Sequence, residues 1–76
     1  MNLARQIRYP IIVEKSPTGY GAYSPDIPGC VAGGSSAEEA IARLQEAVIL
    51  RIRSKIEVGE PLPEPSSTAW VDIPIV

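Results

Sequence analysis

The stretch that decides the fold is residues 35–59, "SSAEEAIARLQEAVILRIRSKIEVG". Ser35 or Ser36 can serve as the N-cap of a helix, with Glu38 or Glu39 at the matching third helical position, so a capping box is available in either register. Gly59 suits the position just after the helix. The spacing predicts an amphipathic helix from about residue 37 to about residue 58 with one apolar stripe: Ala37, Ala40, Ile41, Leu44, Ala47, Val48 and Ile52.

Working outward toward the N-terminus, the pattern predicts a β-hairpin. "IRYPIIVEK" (7–15) alternates in polarity, and its regular part should begin at or just after Pro10, which cannot donate to a ladder. "YGAYS" (20–24) returns after the turn signal "SPTG" (16–19). The apolar face of the first strand would carry Ile7, Tyr9, Ile11 and Val13.

A rigid corner and a third strand connect the hairpin to the helix. "PDIPG" (25–29) contains two prolines, each of which fixes its own φ and pushes the preceding residue toward extended geometry. "CVAG" (30–33) is long enough for a short strand, which the double glycine at 33–34 would end.

After the helix, the sequence predicts a linker and a last strand. "GEPLPEPSS" (59–67) is stiffened by proline, and "TAWVDIPIV" (68–76) alternates, with Val71, Ile73 and Ile75 on one face. Pro74 would place this fourth strand at an edge of the sheet.

The predicted fold is therefore an α+β two-layer sandwich in the order β-β-β-α-β, a single domain over residues 1–76. A four-stranded mixed sheet of order 3-2-1-4 would carry one helix on one face, with a right-handed crossover. No helix is left for the second face, which is mixed and partly apolar and suits a partner. Its expected residents are Arg8, Ile12, Glu14, Tyr23 and Trp70.

Composition narrows the class of function. The chain has 76 residues, seven basic and nine acidic, for a net charge of −2, which disfavours nucleic-acid binding and favours a basic partner. One cysteine and no histidine exclude an internal disulfide and an ordinary zinc site, leaving self-association as the expected stabiliser. The sequence shows no basic segment followed by an apolar one and no apolar run of membrane-spanning length, and a free thiol agrees with a reducing compartment, so we expect a cytoplasmic protein.

Catalysis by Cys30 or phosphate binding at Gly33–Gly34 is not favoured. A thiol nucleophile needs a base, usually histidine, and the chain has no histidine, so Cys30 is interpreted as a small packed hydrophobic residue.

The glycine pair precedes a helix, but no lysine lies nearby and two glutamates there would repel phosphate. The glycines are interpreted as a strand-to-helix turn.

Acidic residues leave open the alternative of a diminished, Mg²⁺-dependent nuclease, since carboxylates from several elements can hold two metal ions. The candidates are Glu14, Asp26, Glu38, Glu39 and Asp72. Capping accounts for the two glutamates of the helix, and Asp26 lies in a turn motif that favours aspartate. We therefore predict no catalytic residue, no metal site and no cofactor.

The aromatic residues can serve a core or an interface. Tyr9, Tyr20, Tyr23 and Trp70 are the only ones, since the chain has no phenylalanine. Aromatic side chains supply much of the energy at protein interfaces. Strand alternation favours Tyr9 as a core residue and Trp70 as an interface residue.

Together these motifs resemble a known family. "GYGAYSPDIPGCVAGGSSAEEAIARLQEAV" (19–48) resembles the N-terminal domain of HicB antitoxins, and "GEPLPEPS" (59–66) resembles the segment that follows the helix in that family. The matching positions are Gly19, Tyr20, Pro25, Asp26, Ile27, Pro28, Gly29, Cys30, Gly34, Ser36, Glu38, Glu39 and Ala40.

The resemblance implies a partial RNase H-like fold without the nuclease carboxylates. It also implies binding and neutralisation of HicA, a small basic mRNA-cleaving toxin, and assembly into dimers or larger oligomers. The expected partner-binding residues are Tyr23, Asp26, Glu38, Glu39 and Trp70. The expected structural residues are Pro25, Pro28, Gly29, Cys30, Gly34 and Ser36.

One departure from the family concerns the C-terminal side. HicB antitoxins generally carry a helix-turn-helix or ribbon-helix-helix domain there, whereas this sequence stops at Val76, so we expect no C-terminal DNA-binding domain and no direct nucleic-acid binding. Two alternatives stay open beside the antitoxin: a solitary oligomeric HicB-like domain with another partner, and the diminished nuclease.

Overall fold

The computed structural model describes residues 6–75, which form a three-stranded sheet followed by one helix. The strands are β1 (Ile12–Ser16), β2 (Gly19–Tyr23) and β3 (Val31–Gly34), and the helix α1 is Ala37–Glu57. All strand pairs are antiparallel, in the order β1-β2-β3. The α+β class, the hairpin and the helix are thus confirmed, and the predicted strands differ from the observed ones at their ends.

The register sorts the side chains onto two faces of the sheet. Ala22 lies opposite Val13 on one side and Ala32 on the other, and residues that face each other across strands share a face of the sheet. Ala22 is buried in the core, so this is the face toward α1. The alternate residues Ile12, Tyr23 and Val31 form a row on the other face.

Residues from both layers build the core. Leu44 of α1 is only 1% exposed, and Ile27, in the corner between β2 and β3, is equally buried. The buried hydrophobic residues of the core are Ala22, Ile27, Cys30, Ala40 and Leu44, with Tyr9, Tyr20, Ala32 and Val48 packed against them. α1 packs mainly over β3 and β2, whereas every residue of β1 is exposed.

Ser36 is the N-cap of α1, so the structure uses the second of the two predicted capping registers. The Ser36 hydroxyl accepts a hydrogen bond from the backbone N–H of Glu39 at 3.0 Å. The Glu39 carboxylate accepts a 2.6 Å bond from the backbone N–H of Ser35, one residue before the cap. At the other end, Gly59 has φ +76°, the left-handed conformation that ends many helices.

Gly34 permits the close approach of β3 to the start of α1. A Cβ at this position would lie 2.8 Å from the backbone nitrogen of Ala40 and 2.9 Å from the Cβ of Glu39. Real Cβ atoms do not approach other atoms that closely, so the strand and the helix would have to separate. The glycine therefore fixes how closely the two layers meet.

The predicted fourth strand is not confirmed. Residues 60–75 form no strand, and the described part of the sheet ends at β1 on one side and β3 on the other. A strand exists only where its backbone groups pair with a neighbour, and alternation alone supplies no neighbour. The order 3-2-1-4 and the RNase H-like assignment therefore stay predictions, and Val76 and residues 1–5 lie outside the described residues.

Within residues 6–75, no helix has both the length and the apolar character needed to cross a membrane.

Candidate protein-interaction site

The face of the sheet that α1 does not cover is named here the open face. One row across the three strands is apolar and aromatic: Ile12, Tyr23 and Val31, of which Val31 is 72% exposed. The next row consists of Glu14, Gly21 and Gly33. Because two of these three residues lack side chains, the Glu14 carboxylate borders bare backbone that a partner can approach closely.

This arrangement offers three kinds of contact on a small area. The first row supplies apolar surface, the glycine pair supplies accessible backbone, and Glu14 supplies a negative charge. Such a combination suits a protein partner that carries basic residues beside apolar ones.

Asp26 lies in the corner after β2 and is engaged within the chain. Its carboxylate accepts hydrogen bonds from the backbone N–H of Ser66 at 2.8 Å and from the Ser66 hydroxyl. These two bonds, first that of the hydroxyl, hold the pKa of the Asp26 carboxyl below its ordinary value, and desolvation opposes them with a lesser effect. Asp26 therefore fastens the segment after the helix to the corner.

Glu38 and Glu39 lie in the first turn of α1, and they differ in their surroundings. Glu39 accepts bonds from the backbone N–H and the hydroxyl of Ser35 and forms an ion pair with Arg43 at 3.4 Å. The Ser35 bonds, and then the Arg43 charge, hold the pKa of Glu39 below its ordinary value. Glu38 is exposed.

Trp70 was expected on the second face of the sheet, and the structure places it elsewhere. The residue lies beyond the linker in a segment without strand structure, and it is 95% exposed. Because residues 60–75 form no strand in the described structure, the indole is not carried onto the open face.

The five predicted partner-binding residues consequently do not form one patch. Tyr23 and Asp26 lie at the end of the sheet where β2 leads into the corner, while Glu38 and Glu39 lie at the other end, where β3 leads into α1. Trp70 lies off the sheet.

The predicted structural residues occupy the corner and the start of the helix. Pro25 is exposed within the corner, and Ser36 is the N-cap. The carbonyl of Pro28 accepts a 3.1 Å bond from the Arg51 guanidinium, and Gly29 beside it has φ +86°. Cys30 is buried among the core side chains, and Gly34 is the close approach to α1.

Three contacts of this region were missed by the sequence analysis. They are the bonds of Ser66 to Asp26, of Arg51 to Pro28, and of the Tyr9 hydroxyl to the carbonyl of Pro63 at 2.8 Å. Burial, and then the negative charges of Asp26 and Glu64, raise the pKa of Tyr9. Each contact joins residues far apart in sequence, so periodicity and local motifs carried no signal for it.

The carboxylates proposed for a nuclease are not gathered at one point. Asp26 is bound to Ser66, Glu39 caps the helix, and Glu14 lies on the open face. Over residues 6–75, no three histidine, cysteine, aspartate or glutamate side chains lie together as metal ligands would.

Comparison with known proteins identifies the family. Residues 9–72 match the sequence model of the "HicB_like antitoxin of bacterial toxin-antitoxin system" family, which is most of the chain. This chain therefore belongs to the HicB-like antitoxin family, as its motifs predicted.

Individual relatives agree with this assignment. The chain is 34% identical to Antitoxin HicB 2 of Photorhabdus laumondii over 95% of its own length and 53% of the relative's. It is 33% identical to Antitoxin HicB 1 of the same organism, over 96% of its own length and 49% of the relative's. A UPF0150 protein of Synechocystis is 39% identical over 74% of the chain and 72% of the relative. The chain thus spans about half the length of the two named antitoxins.

Proposed function

We propose that this chain is the toxin-binding part of an antitoxin of a type II toxin–antitoxin system. It would neutralise a HicA-type mRNA-cleaving toxin by covering the toxin's RNA-binding face. The observation that carries the proposal is the family match over residues 9–72. The names of the two Photorhabdus relatives, both antitoxins, support it.

The open face is the proposed contact surface. A toxin that binds RNA presents basic groups, and the net charge of −2 of this chain favours their approach. Glu14 and the row formed by exposed Ile12, half-buried Tyr23 and exposed Val31 would meet that surface. Asp26, Glu38, Glu39 and Trp70 stay proposed contacts, with Asp26 and Glu39 each partly occupied by their bonds within the chain.

In this proposal the chain acts by binding alone and catalyses no reaction. Its place of action would be the cytoplasm, where the toxin meets mRNA. We also propose that a fourth strand completes the sheet in the partial RNase H-like order 3-2-1-4, and that the protein assembles as a homo-oligomer.

Co-expression with a HicA-type toxin encoded beside the chain's gene tests the function. The toxin alone should arrest growth of a bacterial host, and the chain should restore growth and co-purify with the toxin. A catalytically inactive toxin serves as control for the co-purification, because it binds without stopping growth. If growth stays arrested while both proteins accumulate in soluble form, and no complex is recovered, the proposed function is wrong.

A further inference from the structure

Residues 68–75, named here the tail, carry apolar side chains that the other described residues, 6–67, leave uncovered. Trp70 is 95% exposed, Ile75 is 92% exposed, and Val71 and Ile73 are 78% and 70% exposed. In an extended backbone Val71, Ile73 and Ile75 share one face, so the tail has the pattern of a strand with one side meant for burial.

A matching uncovered groove lies between α1 and the chain leading into β1. It is open, has a volume of about 1030 Å³, and is mostly apolar. On one wall are Ile7 and Ile11, and on the other are Ile41, Ile49 and Ile56 of α1, all exposed. β1 is the edge strand on this side, so in the described sheet the backbone groups of its outer edge have no neighbouring strand.

The chemistry of the tail fits this groove. Pairing through the backbone of Val71, Ile73 and Ile75 would direct the N–H side of Pro74 outward, where its missing hydrogen costs nothing. Asp72, the only charged residue of the tail, lies on the face opposite Val71, Ile73 and Ile75, so no charge of the tail enters the apolar groove.

The linker carries the tail away from the groove of its own chain. Pro63 is bound by Tyr9, just before β1, and Ser66 is bound by Asp26, in the corner between β2 and β3. Between these two anchors the linker therefore crosses the end of the sheet from the β1 side toward the β3 side. Returning to its own β1 would require the chain to reverse its direction within residues 66–68, between the bond to Asp26 and the start of the tail.

We propose that the tail of one chain adds as the fourth strand to β1 of a second copy of this chain, and that the exchange is reciprocal. Because a two-fold exchange is self-complementary, both tails and both grooves are covered at once. The sheet of each copy then has four strands, and Trp70 and Asp72 extend the open face. The inference concerns the chain alone and does not depend on a toxin.

Light scattering on the purified chain is the first test. The wild-type protein should have the mass of two chains. The variant Val71→Asp/Ile73→Asp should have the mass of one, because two charges would enter the groove. The matched control Thr68→Asp/Pro74→Asp adds the same charges on the other face of the tail and should stay dimeric. A monomeric wild type, or a dimer that the first variant leaves intact, would overturn the proposal.

A cross-linking test separates exchange from docking within one chain. Chains carrying Ile49→Cys are mixed with chains carrying Ile73→Cys, after brief unfolding and refolding, and treated with a short bismaleimide. Exchange predicts a covalent pair containing one chain of each kind. Leu50→Cys replaces Ile49→Cys as the control, since Leu50 does not line the groove, and it should cross-link far less. Cys30 is buried, and a Cys30→Ala background removes its contribution.

The double variant Ile49→Cys/Ile73→Cys carries both cysteines in one chain and tests the alternative that the tail docks in the groove of its own chain. If it cross-links within single chains and the mixture gives no covalent pair, the tail occupies its own groove and the exchange is refuted. Absence of any cross-link in both experiments would equally refute it, because the tail would then occupy neither groove.

Discussion

The carboxylate of Asp26 binds Ser66 through two hydrogen bonds, one from the backbone N–H at 2.8 Å and one from the hydroxyl. The two residues are 40 positions apart, so these bonds join the corner between β2 and β3 to the linker after α1. Together with the bond from Tyr9 to Pro63, they determine where the tail leaves the body of the protein.

Ser66→Ala should raise the pKa of Asp26 toward its ordinary value, because the hydroxyl bond is the main cause of the depression. The carboxyl signal of Asp26, followed by NMR over an acid titration, measures the change. Ser67→Ala is the matched control and should leave this pKa where it is in the wild type. Equal pKa values in the two variants would show that Ser66 does not hold the carboxylate in solution.

The same contact predicts how the linker responds to pH. Asp26 has a depressed pKa in the folded chain, so its stabilisation is complete above the ordinary pKa of an aspartate, about 3.9, and is lost as the pH falls through the folded value. The linker should therefore stay attached near neutral pH and come loose only in acid. Amide exchange of Ser66, corrected for the pH dependence of the chemical rate, should show protection that disappears in that acid range. A loss of protection near neutral pH would contradict the assignment.

Ser36→Ala should lower the free energy of unfolding by about 1 kcal/mol, because the N–H of Glu39 would lose its capping partner. Urea denaturation at a fixed protein concentration measures the change. Ser35→Ala is the comparison: it removes one hydroxyl bond to Glu39 and keeps the backbone bond, so its cost should be smaller. A larger cost for Ser35→Ala would mean that the helix begins one residue earlier than observed.

Gly34→Ala should be strongly destabilising, since its Cβ would lie 2.8 Å from the backbone nitrogen of Ala40. Gly21→Ala is the matched control on the neighbouring strand, where the nearest atom to a new Cβ is 3.9 Å away. Thermal unfolding should therefore show a large fall in Tm for the first variant and a small change for the second. Similar Tm values would contradict the close packing of β3 on α1.

Leu44→Ala should cost about 2–5 kcal/mol, because Leu44 is fully buried and its truncation leaves a cavity. In so small a domain that loss approaches the whole stability, so the variant is measured with a stabilising osmolyte present in all samples. Leu50→Ala, on the exposed side of the same helix, should change stability by about 0.5 kcal/mol or less. Equal losses would show that the helix presents a different face to the sheet.

The parts of the fold that the sequence predicted correctly are those with local causes. Ser36 and Glu39 mark the start of the helix and Gly59 marks its end, and all three act on residues close to them in the sequence. The turn at 16–19 and the corner at 25–29 likewise depend on prolines and glycines at fixed positions. The helix and three strands follow from these signals and from periodicity.

The parts that the sequence did not predict have causes distant in the chain. Asp26 was recognised as a turn residue and a partner contact, but its bond to Ser66 exists only once the helix has brought the linker back to the corner. The alternation of apolar and polar residues over 68–75 produces a strand only if the unpaired edge of a sheet is available for backbone pairing. Sequence gives the pattern of that segment, and a local pattern cannot say which sheet edge, in which copy, will pair with it.

The most direct test of the account is the affinity of two charge-reversed variants for a HicA-type toxin, measured by calorimetric titration. Glu14→Lys changes the open face, and Glu46→Lys makes the same change of net charge on an exposed part of α1. Light scattering first verifies that both variants keep the wild-type mass. We expect Glu14→Lys to raise the Kd at least about tenfold, because like charges would then meet at the interface, and Glu46→Lys to change it little. Equal Kd values for the two variants would contradict the assignment of the open face as the toxin-binding surface.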